Sequence, residues 1–217
     1  MLVAISGKAG SGKDTAADYL VRKKYFTKIS LADPIKRICG EIYGFSYEQL
    51  FGPSEMRSKP DERYPTSDGE YLTVRKAAQK VGTDCFRSLY EDTWVNYLLK
   101  TIKQLQSNRY LKYSPDKGIY EDLDVFDFIG KNKNIVTADV RFINEVDLLK
   151  KEKAYLIRIV KDSAGLNGES GSHLSETEQN SIPDNKFDDI IENNGTLEEL
   201  YEKIDKVVEK YQFLKAY

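Results

Sequence analysis

A glycine-rich segment close to the amino terminus separates a short apolar run from a stretch with helical periodicity. It reads Gly7-Lys-Ala-Gly-Ser-Gly-Lys-Asp-Thr15 and directly follows Leu2-Val-Ala-Ile-Ser6. An apolar run of this length is typical of a strand buried on both faces of a parallel sheet. Glycines let backbone N–H groups converge on phosphate oxygens, and the amino terminus of the following helix adds positive potential. The segment therefore predicts a polyphosphate site at the end of the first strand.

This segment departs from the strict phosphate-loop pattern at one position. Gly7, Gly12 and Lys13 have the expected spacing, but Asp14 stands where serine or threonine is usual. Lys13 can reach the β- and γ-phosphates of a nucleotide, and the hydroxyl of Thr15 can still face a phosphate. A carboxylate beside polyphosphate is repulsive unless it takes up a proton, meets Mg²⁺ through water, or turns away. We favour the water-bridged metal, which makes Asp14 and Thr15 candidate Mg²⁺ residues.

Composition and charge limit the partners that we expect for the chain. Its 217 residues fit one large α/β domain, residues 1–217. The 33 basic and 35 acidic residues nearly cancel, so no overall field favours a nucleic acid or an anionic membrane. Apolar runs are strand-sized and no signal peptide is evident, so we expect a soluble cytoplasmic protein. Cys39 and Cys85 lack CxxC spacing, and we expect both to be buried apolar filler rather than disulfide or zinc residues.

Strand and helix patterns alternate along the chain. This alternation predicts an α/β fold of three layers, a parallel sheet flanked by helices, with the ligand at the carboxyl ends of the strands. Thr196 and Glu199 form a capping-box pattern that opens the last helix. The predicted strands are residues 2–6, 28–31, 135–138, 154–160 and 189–192, and the predicted helices are residues 13–24, 33–42, 74–81 and 88–106, one after residue 141, and one from residue 196.

Two insertions are predicted within this alternation. Residues 46–105 are expected to form an acceptor-binding insertion, and its proline- and glycine-rich part, residues 52–69, is expected to be a mobile loop. Residues 161–180 hold a glycine- and serine-rich stretch that is expected to act as a lid over the phosphates. Residues 107–134 carry no pattern that can be assigned.

A second polar pair follows another predicted strand. Asp139-Val-Arg141 comes directly after residues 135–138, so both side chains are expected at the same sheet edge as the phosphate loop. Asp139 suits a metal role or a hydrogen bond to an acceptor, and the Arg141 guanidinium can hold a phosphate through two hydrogen bonds. A helix-capping aspartate followed by a surface arginine is the alternative interpretation. The position beside a phosphate loop favours the acceptor site.

Further motifs occur in the order seen in a known family. They are Ser11-Gly-Lys-Asp-Thr-Ala-Ala-Asp18, Leu31-Ala-Asp-Pro-Ile-Lys36, Val74-Arg75, Val81-Gly-Thr-Asp84 with Trp94, Asp139-Val-Arg141 with Glu145, His173-Leu-Ser-Glu176, and Asn193-Asn-Gly-Thr-Leu-Glu-Glu-Leu200. Over nearly its whole length the chain resembles the deoxynucleoside monophosphate kinases of T-even-type and related bacteriophages, within the P-loop nucleoside monophosphate kinase superfamily. The resemblance is weakest in residues 46–69 and 107–133.

The resemblance implies two adjoining nucleotide sites. Trp94 would offer a flat face to a base. The alternative, which we weigh equally, is that Trp94 only packs in the core. The ATP site would comprise Gly10, Gly12, Lys13, Asp14 and Thr15, and the deoxynucleotide site Arg75, Gly82, Thr83, Trp94, Asp139, Arg141 and Glu145.

Other basic residues are candidates for phosphate binding from their position alone. Arg87 and either Arg57 or Arg63 are candidate clamps, with solvated surface charge as the alternative. Lys161 and Arg158, at the end of a predicted strand, are candidates for the base of the lid, and Lys161 would then contact ATP. His173 lies in the lid-like loop and has no assigned role.

These residues predict direct in-line transfer of the γ-phosphoryl group of ATP to a deoxynucleoside monophosphate. Lys13 and Mg²⁺ would hold ATP, Arg141 with Arg75 or Arg87 would fix the acceptor phosphate, and an ionised acceptor needs no general base. One alternative is a P-loop kinase of dephospho-coenzyme A or phosphomevalonate. Another is a non-kinase NTP-binding switch, but such proteins usually carry serine or threonine at the position of Asp14. The accepted bases, the selectivity for deoxyribose and the formation of a homodimer stay open.

Overall fold

Strands and helices alternate in the structure, a computed structural model that describes residues 1–107, 109–114, 119–124, 134–166, 171 and 173–216. The strands are β1 (Leu2–Ser6), β2 (Thr27–Lys28), β3 (Pro60–Pro65), β4 (Tyr71–Thr73), β5 (Arg109–Ser114), β6 (Ile119–Asp124), β7 (Ile135–Val140), β8 (Tyr155–Val160) and β9 (Asp189–Glu192). The α-helices are α1 (Lys13–Lys24), α2 (Asp33–Tyr43), α3 (Tyr47–Phe51), α4 (Val74–Gln79), α5 (Thr93–Gln106), α6 (Ile143–Lys151), α7 (Leu174–Thr177) and α8 (Leu197–Ala216). Shorter helical segments are Ser54–Ser58, Lys80–Arg87, Glu178–Asn180 and Asp184–Lys186.

The main sheet is parallel and has the strand order β2-β7-β1-β8-β9. Strand β1 lies in the middle, and all of its residues are buried, as its apolar run predicts. Val3 and Ile5 face a core formed with α1 and α8, while Leu2 and Ala4 face a second core formed with α5 and α6. Successive side chains of a strand point to opposite faces, so the sheet is covered on both sides. The predicted three-layer fold class is confirmed.

The region expected to be a mobile loop has regular structure. Residues 52–69 contain the helical turn Ser54–Ser58 and β3, which pairs with β4 in an antiparallel hairpin. Proline is tolerated at the ends of an edge strand, and β3 begins and ends with one. Tyr64 packs on a third core cluster, around Phe45, and its hydroxyl donates to the Tyr43 carbonyl at 2.7 Å. The prediction of a loop over residues 52–69 is therefore wrong.

Several element boundaries also differ from the predicted ones. The helix expected over 74–81 continues beyond α4 as a π-helical segment, Lys80–Arg87, and the next helix begins at Thr93 rather than residue 88. Strand β2 ends at Lys28. Ile29 N–H still donates to the Val136 carbonyl at 2.9 Å, but the N–H groups of Leu31 and Ala32 donate to the Asp139 carboxylate instead of a neighbouring strand. Cys39 is buried as expected, but Cys85 is exposed, so the prediction for Cys85 is wrong.

Further observations concern the last helix, the two insertions and the length of the helices. Thr196 and Glu199 form the predicted capping box, with both N–H to side-chain oxygen distances at 3.2 Å. Within residues 107–134, β5 and β6 pair in an antiparallel hairpin. Part of the predicted lid-like loop, residues 167–170 and 172, lies outside the described residues. No helix in the described part of the chain combines the length and apolarity needed to cross a membrane.

We predict that Ile204→Ala lowers the free energy of unfolding by about 3 kcal/mol, because it leaves a cavity between α8 and the sheet. Ile204 is 0% exposed in the core beside β1. Urea denaturation measures this change. Lys206→Ala, at an exposed position of the same helix, is the control and should change the free energy by less than about 0.5 kcal/mol. An equal effect of both substitutions would contradict this packing.

Candidate active site

A cavity of about 470 Å³ lies where the loops after β1 and β7 meet the region of α2, α4 and α5. It brings together residues from distant parts of the chain that the sequence singled out. These lining residues are Gly10, Gly12, Lys13, Asp14, Thr15, Arg57, Arg75, Gly82, Thr83, Arg87, Trp94, Asp139, Arg141, Glu145 and Lys161. The candidates from the phosphate loop and from the acceptor side therefore share one space.

The phosphate loop adopts a backbone that requires glycine at two positions. Gly10 and Gly12 have φ values of 81° and 98°, in the left-handed region. A Cβ atom on Gly12 would also lie 2.3 Å from the Nδ2 atom of Asn193. The Lys13 ammonium donates to the Lys8 carbonyl at 3.3 Å. Burial lowers the pKa of Lys13, an effect that Asp14 opposes and Arg141 reinforces.

Asp14 is ionised and pairs with cations. Its Oδ1 atom lies 3.3 Å from Lys28 Nζ and its Oδ2 atom 3.8 Å from Lys13 Nζ. Burial would raise the pKa of Asp14, but these two lysines outweigh it and hold the pKa below its ordinary value. Of the three alternatives for this carboxylate, protonation is therefore the least favoured.

The oxygen atoms at the start of α1 suit a magnesium ion that is bound together with a nucleotide. Mg²⁺ usually takes one or two protein oxygens and completes its shell with phosphates and water. The Asp14 carboxylate, 63% exposed, and the Thr15 hydroxyl are such oxygens on the cavity wall. Among the described residues, no cluster of three or more His, Cys, Asp or Glu side chains is arranged to hold a metal. The donor set thus fits a metal shared with the phosphates of a ligand.

Asp139 binds the loop that precedes α2. Its Oδ1 atom accepts hydrogen bonds from Leu31 N–H and Thr137 Oγ1, both at 3.0 Å. Its Oδ2 atom accepts from Ala32 N–H at 2.8 Å and from the Ser30 hydroxyl. A carboxylate has about four acceptor sites, so Asp139 is fully hydrogen-bonded in this state. It fixes one wall of the cavity, and a direct bond to a metal would displace one of these four donors.

Glu145 caps the amino terminus of α6. Its Oε2 atom accepts from the N–H groups of Arg141 at 2.8 Å and Phe142 at 3.1 Å. Burial raises the pKa of Glu145 to about 7. The Arg87 guanidinium lies 3.6 Å from the centre of the Phe142 ring, and its Nη1 atom donates to the Glu91 carbonyl at 2.8 Å. Arg87 and Glu145 therefore shape the cavity from largely buried positions.

The remaining arginines differ in their freedom to reach a ligand. Arg75 donates to the side chains of Ser58 and Ser54, both at 2.9 Å, at the cavity wall. Arg57 also lines the cavity. Arg63 instead pairs with Asp61 through two nitrogens, and it is not among the lining residues. Of the two arginines considered for residues 52–69, Arg57 is the one at the cavity.

Trp94 belongs to both the core and the cavity wall. Its side chain packs against Phe86 at 5.1 Å between ring centres, and its residue is 6% exposed. The indole N–H donates to the Gly82 carbonyl at 2.8 Å. A Cβ atom on Gly82 would lie 2.8 Å from Ile35 Cδ1. These contacts fix the width of the cavity beside Trp94 and Gly82.

The lid candidates have different surroundings. Lys161 lines the cavity at the end of β8. Arg158 donates to the carbonyls of Gln179 at 3.1 Å and Ile182 at 2.7 Å, so its side chain is held within the fold. His173 begins α7, and its Nε2 atom lies 3.3 Å from Asp84 Oδ1.

Two residues at the site received no role from the sequence. The side-chain amide of Asn193 donates to the Ser11 carbonyl at 2.8 Å, and the backbone N–H of Asn193 donates to the Val160 carbonyl at 2.8 Å. Glu176 is buried at the cavity, where its carboxylate accepts from Arg141. Asn193 directly follows a predicted strand, which is a usable signal, whereas nothing in the sequence indicates the burial of Glu176.

The sheet order, the left-handed glycines after β1 and the cavity at the strand ends define a P-loop kinase fold. The structure of shikimate kinase from Aquifex aeolicus superposes with a TM-score of 0.50 and 14% identity, over 98% of each chain, which supports the fold alone. The sequence matches the family model of deoxynucleotide monophosphate kinases over residues 1–59 and 61–204. The chain therefore belongs to the deoxynucleotide monophosphate kinase family.

Two relatives support this membership. One, from Acanthamoeba polyphaga mimivirus, carries the same kinase designation and is 36% identical over 211 residues, which cover 96% of each chain. The deoxynucleotide monophosphate kinase of Enterobacteria phage T4 is 24% identical over 242 residues, which cover 94% of this chain and 96% of the phage protein. The predicted family and the predicted activity, phosphorylation of deoxynucleoside monophosphates, are confirmed, and a kinase of this family implies ATP as co-substrate.

We predict that Asn193→Ala raises the KM for ATP about fivefold, because the phosphate loop loses a hydrogen bond worth about 1 kcal/mol. The KM for the acceptor should stay within about twofold, since Asn193 contacts the loop on the side of Ser11. Steady-state kinetics with each substrate varied in turn measure both constants. Asn180→Ala, at an exposed position, is the control. An unchanged KM for ATP would contradict this role.

We predict that Glu145→Gln stabilises the protein relative to wild type as the pH rises from 5 to 8. Unfolded Glu145 loses its proton near pH 4.5, whereas the folded residue does so near 7. Between these values the folded state binds more protons than the unfolded state. The contribution of Glu145 to the free energy of unfolding of the wild-type protein is therefore lost as the pH rises. Glutamine keeps an acceptor for the two N–H groups and does not titrate. Melting temperatures of both proteins across this range provide the test, and a difference that does not vary with pH would contradict the raised pKa.

Proposed function

We propose that the protein transfers the γ-phosphoryl group of ATP directly to the phosphate of a deoxynucleoside monophosphate while both are bound in the cavity. The observation that carries this proposal is the shared space of the phosphate loop and the loop after β7. Arg141, Glu176 and Asp139 are close enough to Lys13 to influence its pKa. Donor and acceptor phosphates would therefore meet within a single charged region.

On the donor side, backbone N–H groups at Gly10 and Gly12 and the Lys13 ammonium would bind the ATP phosphates. Lys13 would exchange the Lys8 carbonyl for phosphate oxygens, which carry more negative charge. Mg²⁺, when bound with ATP, would be held by the Thr15 hydroxyl and through water by Asp14, and would neutralise phosphate charge. Lys161, at the end of β8, would add positive charge from the base of the lid.

On the acceptor side, Arg141 would bind the monophosphate, with Arg75 and Arg57 as nearby cations on the same wall. The base would lie toward Trp94 and Gly82, where the wall is apolar and rigid. Arg87 and Glu145 would support this site from behind, since Arg87 stacks on Phe142 and Glu145 caps α6. Asp139 would hold the loop before α2 against the acceptor, and a direct hydrogen bond to the deoxynucleotide would have to replace one of its four present donors.

Transfer then requires positioning and charge stabilisation only. The acceptor phosphate is ionised at neutral pH, so no side chain has to remove a proton from it. Cations fixed around the reacting phosphates stabilise the charge that spreads over the transferred group, and they need no rearrangement during the reaction.

The test is ADP release from ATP in the presence of each of the four common deoxynucleoside monophosphates and their ribose counterparts. Strong stimulation by at least one deoxynucleotide is the expected result. Release of ADP that does not depend on any acceptor would contradict the proposal and would favour a nucleotide-binding switch.

We predict that Lys13→Ala lowers kcat for the best acceptor at least about a hundredfold, because the reacting phosphates lose a fixed cation. The fold should be retained, and the melting temperature reports it. Lys8→Ala is a matched control, since Lys8 belongs to the same loop but its side chain is exposed. We expect the control to keep turnover within about threefold of wild type. Wild-type turnover in folded Lys13→Ala would exclude this mechanism.

A further inference from the structure

Glu176 is a carboxylate of the cavity wall that pairs directly with the guanidinium of Arg141. Its residue is 7% exposed, and it lies on α7. It raises the pKa of Arg75 and of Lys13, against the burial that lowers both. A carboxylate here repels an incoming phosphate, and a buried charge is costly unless it is paired. Its position therefore needs a reason in terms of the neighbouring cations.

The guanidinium of Arg141 has one occupied end and one free edge. Its Nη1 atom donates to the Glu176 carboxylate and to the Ser175 carbonyl, the latter at 3.3 Å. Within the part of the chain that the structure describes, its Nε and Nη2 atoms form no hydrogen bond. The Nε–Nη2 edge of a guanidinium binds two phosphate oxygens at once. Glu176 thus contacts Arg141 without using the edge that suits a phosphate.

Helix α7 is held by hydrogen bonds within its own turn and by a contact to another segment of the chain. His173 Nδ1 accepts from Ser175 N–H at 3.3 Å, and His173 Nε2 faces Asp84 Oδ1, in the segment Lys80–Arg87, at 3.3 Å. Gln179 Nε2 donates to the Ser175 carbonyl at 3.1 Å. These contacts fix the turn that carries Glu176, so the carboxylate can impose an orientation on Arg141.

We propose that Glu176 is a positioning residue that holds one end of the Arg141 guanidinium, so that the Nε–Nη2 edge faces the acceptor phosphate. This inference rests on the proposed function, in which Arg141 binds that phosphate. The opposite role is a competing anion that the acceptor must displace from Arg141. The two roles predict opposite effects when the charge of Glu176 is removed.

The experiment is a double-mutant cycle on kcat/KM for the best deoxynucleoside monophosphate, with Glu176→Ala, Arg141→Ala and the double variant. Glu176→Ala should lower kcat/KM about tenfold or more and leave the KM for ATP within about twofold. The double variant should be no worse than Arg141→Ala by more than about twofold, because Glu176 acts through Arg141. Glu178→Ala, on the helical turn that follows α7, is the control and should match wild type.

Glu176→Gln keeps an oxygen acceptor for Arg141 and the shape of the side chain, so it tests the inference even if the alanine variant does not fold. We expect it to lower kcat/KM for the acceptor no more than about threefold, with the KM for ATP unchanged. A glutamine variant that binds the acceptor more tightly than wild type would overturn the inference in favour of a competing anion. Losses that multiply in the double variant would overturn it as well.

The outcome also separates this inference from the proposed function. If the wild-type protein turns over no deoxynucleotide, the proposed function fails and the role of Glu176 fails with it. If the wild-type protein is active and the cycle is additive, only the role of Glu176 fails.

Discussion

The phosphate loop can point its backbone N–H groups at an anion only in an unusual backbone conformation. Several other contacts of the site maintain that conformation. Gly10 and Gly12 supply the left-handed conformations, and the missing side chain of Gly12 makes room for Asn193. Asn193 in turn joins the loop to the end of β8. Strand β1, buried between β7 and β8, sets the position of the loop at the sheet edge. The phosphate loop is thus joined to two segments that lie far from it in sequence.

The same edge gathers positive charge, and the structure balances that charge with carboxylates in different ways. Asp14 pairs with lysines at an exposed position, Asp139 is fully hydrogen-bonded to the loop before α2, and Glu145 caps a helix. Glu176 is the carboxylate that accepts a hydrogen bond from the Arg141 guanidinium. Each of these groups offsets part of the electrostatic repulsion between the cations of the site when no substrate is bound. Substrate phosphates would then take over part of that neutralisation.

Local patterns predicted the parallel sheet and the meeting of the phosphate loop with Asp139 and Arg141, whereas several other lining residues were expected from the family resemblance. An apolar run before a glycine loop and Asp-x-Arg after a strand place side chains at one sheet edge. The hairpin of β3 and β4 was not predicted, since prolines at strand ends look like loop signals. The partner of each carboxylate also depends on contacts between distant segments. The buried Glu176 on a one-turn helix is the clearest case, because its motif carries no sign of burial.

The account requires that donor and acceptor occupy one continuous space at the same time. An inhibitor with adenosine and a deoxynucleoside joined by five phosphates would span both ends of that space, so its inhibition pattern is a direct measurement. We predict competition against ATP and also against the deoxynucleoside monophosphate, with one inhibitor bound per chain and an affinity above that of either substrate. Competition against ATP alone, with no effect of the acceptor on binding, would contradict the shared cavity.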